Sequence, residues 1–304
     1  MKNLNNNLMS FNRYSKQSPL SYDYHSPEVS VVSGTLRAPS ICYLVSAFFL
    51  TLVGVFSLQI SDSFAASKNS SKLMALGITT KTTSQPSLKE MIGQMLMLGF
   101  KGVTPNDKGS KAAHSLLKDG QIGGLIFMGH NMSSKSQITQ LVSYMKNASS
   151  KQHPPLLAID QEGGQVQRLK EKHGFTTIPT ASSIALANDQ ISALQTYQTL
   201  AEELASAGFN VNFGPVVDLN IVPENPIIAY SSAFILAHRQ NKILTSLKHF
   251  PGHGSSWTDS HEQFVDLTKS WKRIELAPYK LMVKERLVDM VMVGHLYHPS
   301  FSDS

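Results

Sequence analysis

The chain has 304 residues, 41% of them hydrophobic and 16% charged, a balance that suits a globular protein and excludes an intrinsically disordered one. Its formal net charge of +6 comes from scattered Lys and Arg, with no dense basic block; this argues against specific nucleic-acid binding and leaves anionic cell-wall polymers or a membrane surface as tolerated surroundings. The one cysteine, Cys42, excludes an internal disulfide and a cysteine-based zinc site.

The first element is apolar. Ile41 to Ile60 carries no charge, and Lys2, Arg13, Lys16 and Arg37 precede it. Ser63-Phe-Ala65 then offers the small residues a signal peptidase prefers. The pattern predicts a signal peptide and export to the periplasm or the medium. An uncleaved membrane anchor facing outward is the alternative, since about twenty apolar residues span a bilayer. The polar lead of about forty residues is longer than a usual n-region, which a wrongly chosen start codon would explain. Residues 66–86 are rich in Ser, Thr and Lys without hydrophobic period and read as a linker. The predicted division is therefore a lead over 1–65, a linker over 66–86 and a catalytic-type domain over 87–304.

That domain opens on Ser87-Leu-Lys-Glu90, a capping-box pattern that predicts a helix start. Six short apolar strands follow: Met95–Phe100, Ile122–Met128, Leu156–Asp160, Val211–Asp218, Ile243–Lys248 and Met290–Gly294. Helical stretches lie between them, clearest over Ile191–Ala207 and Ile274–Arg286. Continuous apolar strands alternating with helices predict βαβ units and a parallel sheet. Polar and glycine residues gather just after the strands, at Asp160 to Gly164, Asp218, Lys248-His249 and His295. Such loops build the active site of a (β/α)8 TIM-type barrel or line the crevice of an open sheet. No GxGxxG follows the first strand, so the barrel is the stronger reading.

The densest chemistry runs from Lys248-His249 through His253 to Asp259-Ser-His261. A lone loop histidine is commonly just solvated, but three with a Lys and an Asp at one strand end point to a site. Asp259 is close enough to hydrogen-bond one nitrogen of His261, leaving the other as a general acid/base near neutral pH. Lys248 and His249 are donors suited to sugar hydroxyls. A zinc site from His249, His253 and His261 is a rival reading, weakened by the lack of an HExxH spacing or an assisting cysteine.

Lys-His-Phe-Pro-Gly-His-Gly followed by Asp-Ser-His resembles the glycoside hydrolase family 3 N-terminal domain, and within it the β-N-acetylglucosaminidase (β-hexosaminidase) branch. The resemblance runs from about Leu88 to Pro299. It implies His261 as general acid/base with Asp259 as its partner, and no metal or organic cofactor. Ile159-Asp-Gln-Glu-Gly-Gly-Gln-Val-Gln-Arg168 is similar to the segment whose Asp holds sugar hydroxyls, implying Asp160 in that role with Arg168 near the substrate. Asn212-Phe-Gly-Pro-Val-Val-Asp218 and Met292-Val-Gly-His295 also match, while Gln165 stands where an Arg is commoner. Without the resemblance, Asp160 could as well be a capping or structural carboxylate, and Asp218 reads as structural.

Two departures shape the expectation. Asn225-Pro-Ile-Ile228 passes almost directly into Ala229-Tyr-Ser-Ser-Ala-Phe234, a connection roughly ten residues short of the family's. The family's substrate-contacting Arg belongs to that connection, and Arg239 lies too far on to replace it. A retaining glycosidase also needs a carboxylate nucleophile, which the family places after a seventh strand. Phe301-Ser302-Asp303-Ser304 mimics that motif, but it follows the sixth strand directly, so no nucleophile is assigned. The expectation is a barrel with about six of eight strands and unpaired sheet edges. Its activity would be a retaining β-N-acetylhexosaminidase on peptidoglycan fragments, impaired in this chain. A non-catalytic carbohydrate-binding remnant, a gene fragment and a metal-dependent hydrolase are the alternatives. No protein partner follows from the sequence.

Overall fold

A computed structural model describes residues 85–149, 154–187, 189–219, 224–256 and 264–301. The lead, the apolar run at 41–60, most of the linker, and Asp259, His261 and Asp303 lie outside the described residues.

The described residues from Ser87 onward form one compact unit. Helix α1 (Leu88–Gln94) starts at the expected capping box: Glu90 N donates to the Ser87 hydroxyl at 3.3 Å, and Ser87 N donates back to the Glu90 carboxylate at 2.7 Å. Strand β1 (Met97–Gly99), helix α2 (Lys108–Lys118), strand β2 (Gly124–Phe127), helix α3 (Lys135–Lys146) and strand β3 (Leu156–Ile159) follow. A hairpin of β4 (Gln161–Gly163) and β5 (Val166–Gln167) is inserted next, before helices α4 (Ala181–Leu186) and α5 (Gln190–Ala207). The remaining elements are β6 (Val211–Asn212), α6 (Glu224–Gln240), β7 (Leu244–Phe250), β8 (Val265–Asp266), a 3-10 turn at Arg273–Leu276, α7 (Ala277–Lys284), β9 (Met290–Val293) and β10 (Leu296–Tyr297).

The main sheet has six parallel strands in the order β1-β2-β3-β6-β7-β9, so each new strand joins beside its predecessor. This is the winding of a (β/α)8 barrel, incomplete with six strands among the described residues. A parallel sheet buries its strands, and β2 and β3 accordingly read as unbroken apolar runs. Phe127 anchors the core, with Phe100 at 5.1 Å and Phe209 at 5.2 Å in edge-to-face contact. Helices α3 and α5 press Leu141, Met145, Leu200 and Leu204 into the same cluster, each worth roughly 1.5–3 kcal/mol of transfer energy. A smaller cluster of Val217, Ile235, Leu247, Tyr279 and Met282 lies under β7 and α7. Among the described residues no helix is long and apolar enough to cross a membrane.

Several boundaries differ from the sequence reading: β1 and β2 are shorter than the expected Met95–Phe100 and Ile122–Met128, and β7 runs past Lys248 to Phe250. The strand expected over Val211–Asp218 pairs only at Val211–Asn212 and resumes as a bridge between Val216 and Lys248. Pro215 has no N–H to give the ladder there. The helix expected over Ile274–Arg286 begins as a 3-10 turn and becomes α-helical at Ala277, with Pro278 in its first turn. Asn225-Pro-Ile-Ile228 lies inside the first turns of α6.

Candidate active site

Asp160 is the first residue past β3, and Lys248 sits near the end of β7, two strands away. The register of the sheet brings them together: Lys248 Nζ donates to Asp160 Oδ1 at 3.0 Å and also contacts Glu162 Oε1. Only 4% of the Lys248 side chain is exposed. A buried ammonium is tolerated when opposite charges and hydrogen bonds replace its water, and two carboxylates do so here. Asp160 and Glu162 can share one cation because side chains two apart in an extended segment point the same way. Arg168, just past β5, completes the group, with Nη2 at 3.5 Å from Asp160 Oδ2. Its Nε is buried and without a partner among the described residues, while 31% of the side chain remains exposed.

The hairpin that carries Glu162 and Arg168 depends on its glycine turn. Gly163 has φ +100°, and a Cβ there would stand 2.3 Å from the Pro179 carbonyl oxygen.

His249 is held differently. Its Nδ1 lies 2.8 Å from Asp218 Oδ2, and since a carboxylate can only accept, Nδ1 carries the hydrogen. That leaves Nε2 for a ligand, on a side chain 25% exposed. Asp218 Oδ1 also accepts from the backbone N–H of His249 at 3.0 Å and of His253 at 2.9 Å. Asp218 thus staples the start of the histidine loop. Glu275 staples its next turn, accepting from Gly254 N at 3.3 Å and from the Ser255 hydroxyl. Burial pushes the Tyr279 phenol well above its ordinary range, and the Asp218 and Glu275 carboxylates push the same way.

Of the residues singled out from sequence, Asp160, Arg168 and Lys248 form one contact group, and His249 sits beside it on β7 under Asp218. Asp259 and His261 lie outside the described residues. Among the described residues no three His, Cys, Asp or Glu side chains are placed to hold a metal ion. Sequence reasoning missed Glu162 and Glu275. The period-two relation to Asp160 could have found Glu162. Glu275 had no such signal, since its partners are 20 and 21 residues away.

The sequence profile of the glycosyl hydrolase family 3 N terminal domain matches residues 87–304. The chain belongs to that family. Among family relatives, the beta-hexosaminidase A of Pseudoalteromonas piscicida is 31% identical over 256 residues, covering 73% of this chain and 42% of that protein. The beta-hexosaminidase of Tolumonas auensis is 33% identical over 205 residues, covering 62% and 60%. The chain therefore spans between 42% and 60% of the length of these two relatives. A solved family 3 beta-N-acetylglucosaminidase from Paenibacillus sp. superposes with a TM-score of 0.63 at 27% identity, over 72% of this chain and 44% of that one.

Proposed function

We propose that this family 3 domain binds the terminal N-acetylglucosamine of cell-wall (peptidoglycan) fragments and belongs to a retaining β-N-acetylhexosaminidase. The observation that carries this reading is the cluster of Asp160, Glu162, Lys248 and Arg168 at the carboxyl end of the sheet. It offers fixed acceptors and donors to the hydroxyls of an uncharged sugar. The beta-hexosaminidase relatives support the substrate class. In this proposal Asp160 and Arg168 take sugar hydroxyls, Lys248 fixes Asp160, and His249, with its ring hydrogen on Nδ1, accepts from a sugar hydroxyl at Nε2. His261 acts as general acid/base with Asp259 behind it, a role that rests on the family resemblance.

A retaining mechanism needs a second carboxylate as nucleophile. Among the described residues each carboxylate at this end of the sheet is engaged. Asp160 and Glu162 are paired with Lys248, Asp218 accepts three hydrogen bonds, and Glu275 is buried under the loop. We further propose that the 304-residue chain binds N-acetylglucosamine and turns over little. Calorimetry with N-acetylglucosamine tests the first part: wild type binds and Asp160→Ala does not, and equal binding by both sinks the site. Release of chromophore from a chromogenic N-acetylglucosaminide by the purified chain would refute the second part.

Export through the 41–60 segment belongs to the same proposal and rests on that uncharged apolar run and the small residues after it. Membrane anchoring by that segment is its alternative. The mass of the mature chain and its partition between membrane and soluble fractions decide between them.

A further inference from the structure

Asn212, at the end of β6, is fully buried in a sheet where Val or Ile would suit the strand. A buried amide is unfavourable unless its hydrogen bonds are met, and here each one is. Asn212 Oδ1 accepts from Gln161 N at 3.0 Å, and Asn212 Nδ2 donates to Gln161 O at 2.8 Å. The same Nδ2 lies 2.9 Å from His238 Nε2 on α6. His238 Nδ1 must donate to the Phe234 carbonyl at 2.7 Å, so in the neutral ring Nε2 is the acceptor for Asn212. The arrangement has one orientation only, because a flipped amide would set oxygen against oxygen at Gln161.

The next link is Gln161 itself, also buried. Its Oε1 accepts from the backbone N–H of Arg168 at 2.8 Å and of Leu169 at 3.0 Å, and its Nε2 donates to Leu169 O at 3.0 Å. Gln161 follows Asp160 directly and grips Arg168 across the hairpin. Strands β3 and β6 pair only as far as Ile159 and Asn212. The Asn212 side chain therefore continues their ladder one step past its end, on the far side of Asp160. With Ile159 fixed by the sheet and Gln161 fixed by Asn212, Asp160 is held from both neighbours.

We propose that Asn212 and His238 are positioning residues for sugar binding: through Gln161 they set the placement of Asp160 and Arg168 against the ligand. This rests on the reading of Asp160 and Arg168 given above. Neither Asn212 nor His238 is assigned contact with the sugar.

The test uses the full 304-residue chain, N-acetylglucosamine as probe, and calorimetry at a temperature well below each variant's Tm. Asn212→Ala is expected to raise Kd about tenfold, the scale on which binding geometry responds to loss of its supporting contacts. His238→Leu removes the acceptor and is expected to weaken binding in the same direction. His238→Gln offers an amide oxygen near the Nε2 position and is expected to restore most of the affinity lost in His238→Leu. A purely structural role would lower Tm in these variants and leave Kd at the wild-type value. That result, with Asp160→Ala still losing binding, overturns this inference alone. Equal binding by His238→Leu and His238→Gln overturns it too, even where Asn212→Ala fails to fold. Unchanged binding in Asp160→Ala removes the underlying reading as well.

Discussion

Lys248 and His238 show how differently a buried base can be accommodated. Lys248 is paired with two carboxylates, and removing it leaves Glu162 without its cation and Asp160 with Arg168 alone, at 3.5 Å. Lys248→Met is therefore expected to lower unfolding stability by about 3 kcal/mol, the scale of breaking a buried ion pair from one side, and to abolish N-acetylglucosamine binding. Urea denaturation and calorimetry read the two effects. His238 is instead kept neutral: burial pushes it down from the ordinary 6.5 to about 4. As pH falls the unfolded chain takes up this proton first, so the stabilising contribution is complete above about 6.5 and disappears as pH drops toward 4. The shift is worth roughly 3 kcal/mol over that window. Urea midpoints at several pH values should fall less steeply for His238→Gln than for wild type, and parallel slopes would remove His238 as a contributor.

At the scale of elements, the loop after β7 is shaped from below by the turn that precedes α7. Gly252 has φ +121°, and a Cβ there would stand 2.5 Å from both Cβ and Oε2 of Glu275. Gly252→Ala is expected to destabilise the fold by about 2 kcal/mol or more, from backbone strain and the forced displacement of Glu275. Thermal unfolding measures it, and the partner change Glu275→Ala should relieve part of the loss. The elements themselves were largely legible. Apolar runs such as Leu156–Ile159 mark parallel strands because both faces are covered, and Ser87 with Glu90 marks a helix start because both groups act locally. At β6 the sequence reading ran long because Pro215 interrupts the ladder. Contacts at long range were not legible. The Asn212–His238 and Lys248–Asp160 pairs are 26 and 88 residues apart, and nothing local to either residue reports its partner.

For the whole domain, stability is unevenly spread. Strands β2 and β3 lie within the large cluster around Phe127, whereas β9 borders the smaller one and leaves Val291 and Val293 exposed. Opening β9 and α7 should therefore take less free energy than opening β2 and β3. Native-state hydrogen exchange is expected to show amides of β9 exchanging at least about tenfold faster than those of β2 and β3; equal protection would mean the two clusters open together. The four-residue charge cluster has a consequence of another kind. Lys248 and Arg168 bring two formal positive charges, and Asp160 and Glu162 two negative ones, all within ion-pair distance. Beyond about 10 Å such a quartet casts almost no field, since that is where salt screening would act. An uncharged sugar entering it displaces water but no counterions, so its affinity should stay flat from low to high ionic strength. A charged ligand at the same place would instead declare itself by its dependence on salt.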